Sequence, residues 1–315
     1  MVKYFAKEDG RLRALDGAEN ATWVSILPPF TQEELEDVAQ QFDIPLDYIT
    51  DSLDVEERSR YEREEDARFV LVGTPILNEV EDESDAIYIT VPIGIILIPG
   101  TVITVAAHEA HVLRLFMDDR VKNFDPADEA LFVLQIFEQN VYRFLTCLKQ
   151  LNLKRDLVEE ELFNSSRNRE LRQLLGIKKS LVYFVNALSA NELLKMKMKR
   201  SDFLQIRDNE DKSDLFEDII IDNSQALEMA NVYTHILNGT MEAYGSVISN
   251  NLNITIRRLT TITIILMVPT LITSFYGMNV DLPFDQDSYA VYYIVTIAIL
   301  FSILLGWYFQ RKKLF

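Results

Sequence analysis

LTTITIILMVPTLITSFY at residues 259–276 and YAVYYIVTIAILFSILLGWYF at residues 289–309 are two uncharged runs separated by a short loop. Each is close to the roughly 20 residues needed to cross the hydrocarbon core of a bilayer, which is about 30 Å thick. Aromatic residues at both ends of the second run suit the two membrane interfaces. The sequence therefore predicts two transmembrane helices in a lipid bilayer rather than a buried pair of core elements.

The charges that flank these runs predict an orientation. Arg257 and Arg258 precede the first run, and a basic cluster at 311–313 follows the second. The loop at 277–288 carries aspartates and has no Lys or Arg. By the positive-inside rule we expect both termini in the cytoplasm and the loop outside. The charged N-terminus has no apolar signal segment, so we expect a multi-pass protein of the plasma (inner) membrane.

Composition excludes several classes of function. The formal net charge is −18 and arises mostly before residue 259, which argues against a nucleic-acid partner and favours cations. The single cysteine, Cys147, permits no disulfide within the chain and is expected to be buried. The HEAH at 108–111 lacks the spacing of a zinc-protease helix. No Ser-His-Asp arrangement or phosphate-binding glycine loop occurs either, so we do not expect an enzyme.

The first part of the chain, residues 1–125, is predicted to be an α/β or α+β cytoplasmic domain. Thr31 with Glu34 three residues later has the pattern of a capping box, which predicts a helix start. Three segments resemble strands, antiparallel where the turns are tight. They are 69–77, 86–98 and 101–107. Pro and Gly interrupt the apolar stretch at 91–107, so it is interpreted as two strands and not as a third span.

Helical spacing dominates the rest of the N-terminal region. Residues 126–212 are predicted to form a helical hairpin, in which KMKMKR at 195–200 is interpreted as a solvated face. From Asp214 no proline occurs until Pro269, which predicts one helix on the order of 90 Å long. Such a helix needs partners along its length, and neighbouring copies would supply them. The remaining predicted segments are a cytoplasmic stalk at 213–258, a pore-lining span at 259–276, an outer loop at 277–288, a second span at 289–309 and a basic tail at 310–315.

One side of the first span carries a polar stripe at steps of three and four residues: Asn253, Ile256, Thr260, Thr263, Met267, Thr270 and Ser274. Hydroxyls that bond to their own helix, or that pack on the second span, would give the same pattern. Periodicity alone leaves these alternatives open. The stripe continues upstream through the stalk residues Ser249, Ser246 and Glu242, and this continuity favours the lining of an axial channel. The second span has no comparable stripe and is expected to face lipid.

Tyr276-Gly277-Met278-Asn279 stands directly after the first span. A YGMN in this position, followed by a second span and a basic tail, resembles the CorA family of magnesium channels. The resemblance covers the whole chain in layout and is sharpest from residue 213 onward. It implies a funnel-shaped homopentamer that mediates uptake of Mg²⁺, with an α+β cytoplasmic domain, a long stalk helix and two C-terminal transmembrane helices.

The same resemblance implies roles for individual residues. Gly277, Met278 and Asn279 would form the outer mouth, where five Asn279 side chains hydrogen-bond the hydrated ion without stripping its water. Gly277 would let the backbone turn out of the helix. The pore positions are Asn253, Ile256, Leu259, Met267, Thr270 and Ser274. Of these, Ile256, Leu259 and Met267 would be an apolar constriction, with polar rings at Asn253 and Thr270.

Regulation and ion preference follow from the resemblance less directly. Asp51 and Asp218 match the carboxylates of an inter-subunit Mg²⁺ site that would hold the channel closed. The loop after Asn279 departs from the common family sequence MPEL, so the ion could be Mg²⁺, Co²⁺, Ni²⁺ or Zn²⁺. A Zn²⁺ or Co²⁺/Ni²⁺ transporter of the same fold, proton-coupled or not, is one alternative. A membrane-anchored oligomeric scaffold or sensor without ion flux is the alternative from a different class.

Overall fold

The structure is a computed structural model, and it divides into two compact units, Met1–Thr240 and Met241–Phe315. It describes residues 1–8, 10–64, 66–79, 82, 84–164, 168–278 and 289–312. Asn279 and the rest of the loop that follows it lie outside the described residues.

The described residues form seven strands and seven helices. The strands are β1 (Val2–Glu8), β2 (Arg11–Leu15), β3 (Trp23–Ile26), β4 (Arg60–Glu64), β5 (Ala67–Leu77), β6 (Tyr88–Ile98) and β7 (Thr101–Val105). The helices are α1 (Gln32–Gln41), α2 (Leu46–Asp51), α3 (His111–Met117), α4 (Glu129–Asn164), α5 (Asn168–Ser201), α6 (Glu210–Tyr276) and α7 (Ala290–Arg311).

One sheet holds all these strands, in the order β2-β1-β3-β7-β6-β5-β4. The β5–β6 and β6–β7 pairs are antiparallel, which confirms the three strands predicted around tight turns. The β3–β7 pair is parallel and was not predicted, because its partners are far apart in sequence and no local pattern links them. The sequence of β1 and of the edge strands β2 and β4 shows no clear alternation of apolar residues, so these strands were not predicted either.

Helices cover both faces of the sheet. Alternate residues of β5 separate cleanly: Val70 and Val72 join a core with α3, α4, α5 and α6, whereas Phe69 and Leu71 join a core with α1 and α2. This is the period of two expected of a strand that is buried on both sides. The N-terminal unit is thus a three-layer α+β domain.

Two local features fix the helix layer formed by α1 and α2. Thr31 caps α1 as predicted, with the Glu34 amide donating to Thr31 Oγ1 and the Thr31 amide donating to Glu34 Oε2. At the end of α2, buried Ser52 lies against Gly94 of β6. A Cβ added at Gly94 would lie 1.7 Å from Ser52 Oγ, so only glycine permits this close approach.

The long helices occur where the sequence predicts them, with small differences in their bounds. The polar segment after α5 ends earlier than predicted, because α6 begins at Glu210 rather than Asp214. Helix α6 continues through Pro269 to Tyr276. Cys147 is buried as expected, and burial raises the pKa of its thiol to about 11, so it holds no thiolate at neutral pH.

The interpretation of KMKMKR at 195–200 as a solvated face is wrong for Lys195, which is fully buried. Its ammonium donates to Asn223 Oδ1 of α6 at 2.7 Å and lies 5.4 Å from the ring of Phe137 of α4. Asn223 in turn donates to the Leu188 carbonyl oxygen at 3.0 Å. Burial lowers the pKa of Lys195 to about 7. This polar network joins three helices through one lysine.

Candidate ion-conduction site

The second unit contains the two runs that were predicted to cross the membrane. Both are helical: one is the last part of α6 and the other is α7. Both helices are long and apolar enough to span a bilayer, and only 6% of the most apolar window of each is buried. Large apolar side chains that are exposed along 18 or more residues require an apolar solvent.

Helices α6 and α7 pack through one narrow face each. Thr261 of α6 and Ala298 of α7 are buried. Gly306 of α7 lies close to Ile265 of α6: a Cβ added at Gly306 would be 3.7 Å from Ile265 Cδ1. A cavity between the two helices is lined by Leu271 and Tyr276 of α6 and by Ile294 and Ile297 of α7. Later residues of α6 therefore meet earlier residues of α7, and the pair is antiparallel. Small residues at the contact are typical of helix packing in lipid.

The predicted stripe lies on the far side of α6 from this contact. Thr261 and Ile265 define the side that meets α7, and the stripe is centred roughly 140° further round the helix at about 100° per residue. Met267 of the stripe is 63% exposed in the single chain, and Leu259, a pore position implied by the family resemblance that lies outside the stripe, is 65% exposed. The other stripe members are exposed too: Asn253, Ile256, Thr260, Thr263, Thr270 and Ser274. Packing on α7 therefore does not explain the stripe.

The other alternative, hydroxyls bonding to their own helix, is present in the structure. Thr263 Oγ1 donates to the Leu259 carbonyl oxygen and Thr270 Oγ1 to the Leu266 carbonyl oxygen, each at 2.9 Å. This bond uses the hydroxyl proton but leaves the oxygen lone pairs free to accept. A hydrated cation presents O–H donors, so a back-bonded hydroxyl remains a suitable partner for its water shell.

The stalk residues of the stripe are also accessible. Glu242, Ser246 and Ser249 are exposed on α6. The stripe therefore continues along α6 as a surface that its own unit leaves open, from Glu242 to Ser274.

The described part of the YGMN segment ends the helix. The Gly277 amide donates to the carbonyl oxygens of Thr273 and Ser274, and the Met278 amide donates to that of Phe275. Gly277 does not have a positive φ, and an added Cβ would lie 3.5 Å from the nearest oxygens, an ordinary contact. The expectation that Gly277 is needed to turn the backbone therefore has no support in this conformation. Asn279 lies outside the described residues.

Asp51 is engaged within its own chain. Arg60 Nη2 donates to Asp51 Oδ2 at 2.6 Å, and the same guanidinium donates to Glu57 at 2.5 Å and to Glu62 at 2.6 Å. Three carboxylates thus share one arginine, which leaves a local excess of negative charge. A metal ligand role for Asp51 requires it to leave Arg60 or share it.

Asp218 lies on the exposed side of α6, in an acidic neighbourhood. Burial raises the pKa of Glu138 of α4, and the carboxylate of Asp222 raises it further. Asp218, Asp222 and Glu138 also raise the pKa of Tyr142, whose shift is due first to burial. Among the residues that the structure describes, no group of three or more His, Cys, Asp or Glu side chains is arranged to hold a metal.

Comparison with known proteins identifies the fold and its family. The sequence profile of the family described as CorA-like Mg2+ transporter protein matches residues 18–312. The chain belongs to this CorA family. The match includes both spans, so α6 and α7 are the membrane helices of a CorA protein.

Curated and solved relatives agree with the family match. The "Cobalt/magnesium transport protein CorA" of Methanocaldococcus jannaschii is 23% identical over 295 residues, spanning 92% of this chain and 90% of that protein. The complete structure of the CorA magnesium transporter from that organism matches with a TM-score of 0.80 at 22% identity, covering 99% and 98% of the two chains. The full-length CmaX protein matches with a TM-score of 0.68 at 17% identity, covering 98% of each. At these identities, the structural likeness shows the shared CorA fold.

Proposed function

We propose that this CorA protein is a divalent cation channel that mediates Mg²⁺ uptake across the plasma membrane. The observation that carries the proposal is the stripe on α6, which is exposed in the single chain and lies away from α7. A polar face on a membrane helix is costly in lipid, so it requires either a protein partner or water. Copies of α6 around an axis would turn their stripes toward one another and enclose a water-filled path.

A homopentamer with both termini in the cytoplasm is the assembly we propose, following the family resemblance and the flanking arginines. In it, Gly277, Met278 and Asn279 form the outer mouth. Hydrated Mg²⁺ exchanges its water reluctantly, so amide oxygens of Asn279 that accept from the water shell would select it without dehydration. The apolar positions Ile256, Leu259 and Met267 would close the path by dewetting.

Regulation by intracellular Mg²⁺ completes the proposal. Asp218 is exposed in an acidic neighbourhood, and Asp51 belongs to a cluster with more carboxylates than arginines. Five chains of −18 would carry roughly −90 in total, so bound cations between subunits would relieve strong repulsion. Loss of Mg²⁺ would let the stalks separate and the path open.

Influx into liposomes loaded with a Mg²⁺-sensitive dye tests the conduction proposal. We expect saturating Mg²⁺ flux for the wild type and its collapse for Asn279→Ala. Thr270→Val and Thr296→Val form a matched pair, because both hydroxyls back-bond in membrane helices but only Thr270 lies on the stripe. We expect Thr270→Val to lower flux several-fold and Thr296→Val to leave it unchanged.

The same assay separates the alternatives. Flux of Co²⁺, Ni²⁺ or Zn²⁺ without Mg²⁺ would keep the path and overturn the ion assignment. The name of the Methanocaldococcus jannaschii relative includes cobalt, so Co²⁺ is the first alternative ion to measure. Absence of flux for every divalent ion would overturn the channel proposal in favour of a membrane-anchored scaffold or sensor.

A further inference from the structure

Four cationic side chains of the second unit form no ion pair among the residues that the structure describes. Arg257 and Arg258 precede the apolar part of α6, and Arg311 and Lys312 end α7; all four are exposed. In the described part of this unit, the only acidic residue is Glu242, about 22 Å from Arg257 along the helix. Among the residues of this unit that the structure describes, no carboxylate therefore lies close enough along the chain to balance the basic cluster.

Helix packing brings the four cations to one level. Ile265 and Gly306 face each other across the antiparallel pair. Arg258 is seven residues before Ile265, about 10 Å along α6, and Arg311 is five residues after Gly306, about 8 Å along α7. Because the helices are antiparallel, both distances run in the same direction from the Ile265–Gly306 contact. Arg257 and Arg258 inside α6 and Arg311 and Lys312 at the end of α7 therefore lie at the same level, at the edge of the apolar segments.

Arg258 lies on the side of α6 that meets α7, opposite the stripe, because it precedes buried Thr261 by three residues. Arg257 precedes Thr261 by four residues and the stripe residue Thr260 by three, so it lies between these two sides. Arg311 of α7 lies over the ring of Trp307, with 5.3 Å from its guanidinium carbon to the ring centroid. Trp307 is exposed and typical of the interface between hydrocarbon and headgroups. Arg258 of α6 and Arg311 beside Trp307 of α7 thus lie away from the stripe, and Arg257 lies at its edge.

We propose that Arg257, Arg258, Arg311 and Lys312 form a binding site for the headgroup of an anionic phospholipid. Arginine forks bind phosphate oxygens through paired hydrogen bonds, and lysine adds a point charge. Clusters of four or more cations at the end of a membrane helix attract anionic lipids, and the exposed acyl-facing residues around Trp307 would accommodate the chains. The inference is independent of ion conduction, because it requires only that α6 and α7 lie in a bilayer.

Quenching of tryptophan fluorescence by brominated lipid tests this site in the full-length protein. The chain has two tryptophans. Trp23 is fully buried in the sheet core and gives a constant background, whereas Trp307 reports on lipid beside Arg311. The quenching is compared in phosphatidylcholine vesicles that contain either brominated phosphatidylglycerol or brominated phosphatidylcholine. We expect the site to prefer the anionic lipid about tenfold, and we expect added salt to reduce this preference.

Arg257→Gln with Arg258→Gln should reduce the preference about threefold or more without touching the Arg311–Trp307 contact. Arg200→Gln with Arg207→Gln removes the same charge from exposed positions of the N-terminal unit and should leave the preference intact. Equal quenching by the two lipids, or a preference that survives the Arg257/Arg258 double variant, would overturn the site. Loss of the preference on adding soluble glycerol phosphate would also overturn it, because a free phosphate would then be the ligand.

Discussion

The two units of this protein treat apolar side chains in opposite ways. In the N-terminal unit, residues such as Phe69 and Val70 are fully buried on the two faces of one sheet. In the membrane unit, residues such as Leu300 and Ile303 are more than half exposed. The first pattern is stabilised by the removal of apolar surface from water when the chain folds. In a bilayer the apolar surface is already in lipid, so packing one helix against another gains no such term.

The two units differ in which residues determine their structure. In the sheet domain the apolar alternation specifies the fold, and polar residues are mostly surface. In the membrane unit, small and polar residues mark the two sides of α6: Thr261, with Ala298 and Gly306 of α7, lies at the helix contact, and the stripe lies on the opposite side. Glycine substitutions and buried charges should therefore have different consequences in the two units.

The largest effect is expected at Gly94 of the sheet. In Gly94→Ala, the new Cβ would lie 1.7 Å from Ser52 Oγ and 2.6 Å from Ser52 Cβ, so α2 must move away from β6. Overpacking of this kind costs about 3 kcal/mol of the free energy of unfolding. Urea unfolding of the full-length protein in detergent measures it, followed by Trp23 emission in a Trp307→Phe background.

Gly17→Ala is the control, because no heavy atom lies within 4 Å of an added Cβ there and its φ is not positive. We expect its free energy of unfolding to stay within about 0.5 kcal/mol of the wild type. Equal losses for the two variants would show that the Ser52–Gly94 contact does not limit the packing of α2.

The next effect is the pH dependence contributed by Lys195. Burial lowers its pKa in the folded protein to about 7, below the ordinary value of 10.5, so between these values the unfolded chain binds more protons. Stability should therefore rise with pH across this window, by about 2 kcal/mol between pH 7 and pH 9. Lys195→Met should abolish this rise, as measured by urea unfolding at several pH values.

Lys199→Met is the matched control four residues away. Lys199 is exposed and pairs with Glu217 at 2.8 Å. Its removal should therefore leave the dependence of stability on pH the same as in the wild type. A slope that persists in Lys195→Met would mean that another group titrates in this window and that the buried lysine is stabilised in its charged form by Asn223 and Phe137.

Particular residues show how much of this was predictable from sequence. The capping box at Thr31, the two spans and the long α6 were predicted, because each signal is contained within a few turns of chain. The parallel β3–β7 pair and the buried Lys195 were not, because both depend on partners distant in sequence. KMKMKR has the composition of a solvated face, and its buried first lysine is accommodated by contacts with Asn223 of α6 and Phe137 of α4, which are distant in sequence.

The candidate site divides in the same way. The spacing of the stripe was visible in the sequence, since it is a property of one helix. That the stripe lies away from α7 was not, because this depends on which face of α6 meets Ala298 and Gly306. The roles of Asn279, Asp51 and Asp218 remain predictions from the family resemblance.

A smaller effect on stability, but a specific one on regulation, is expected for Arg60→Gln. The substitution removes the partner of Asp51, Glu57 and Glu62, which are partly exposed, so the cost should be about 1 kcal/mol or less. Three carboxylates without an arginine should bind Mg²⁺ more readily. We expect Mg²⁺ to protect the variant from protease at lower concentrations than the wild type, whereas Arg63→Gln, on the same strand, should behave as the wild type. A higher Mg²⁺ requirement in Arg60→Gln would argue that Arg60 positions Asp51 for the cation.

The smallest effect is expected for Gly306→Ala, the membrane counterpart of the Gly94 variant. An added Cβ would lie 3.7 Å from Ile265 Cδ1, an ordinary van der Waals contact with the end of a flexible side chain. Alanine also loses less conformational freedom than glycine when a helix forms. In thermal unfolding in detergent, we therefore expect the free energy of unfolding of Gly306→Ala to lie within about 1 kcal/mol of the wild type. Any difference should be a gain in stability. A loss comparable to that of Gly94→Ala would mean that α6 and α7 approach more closely in the membrane than at this contact, and that shape complementarity limits both units equally.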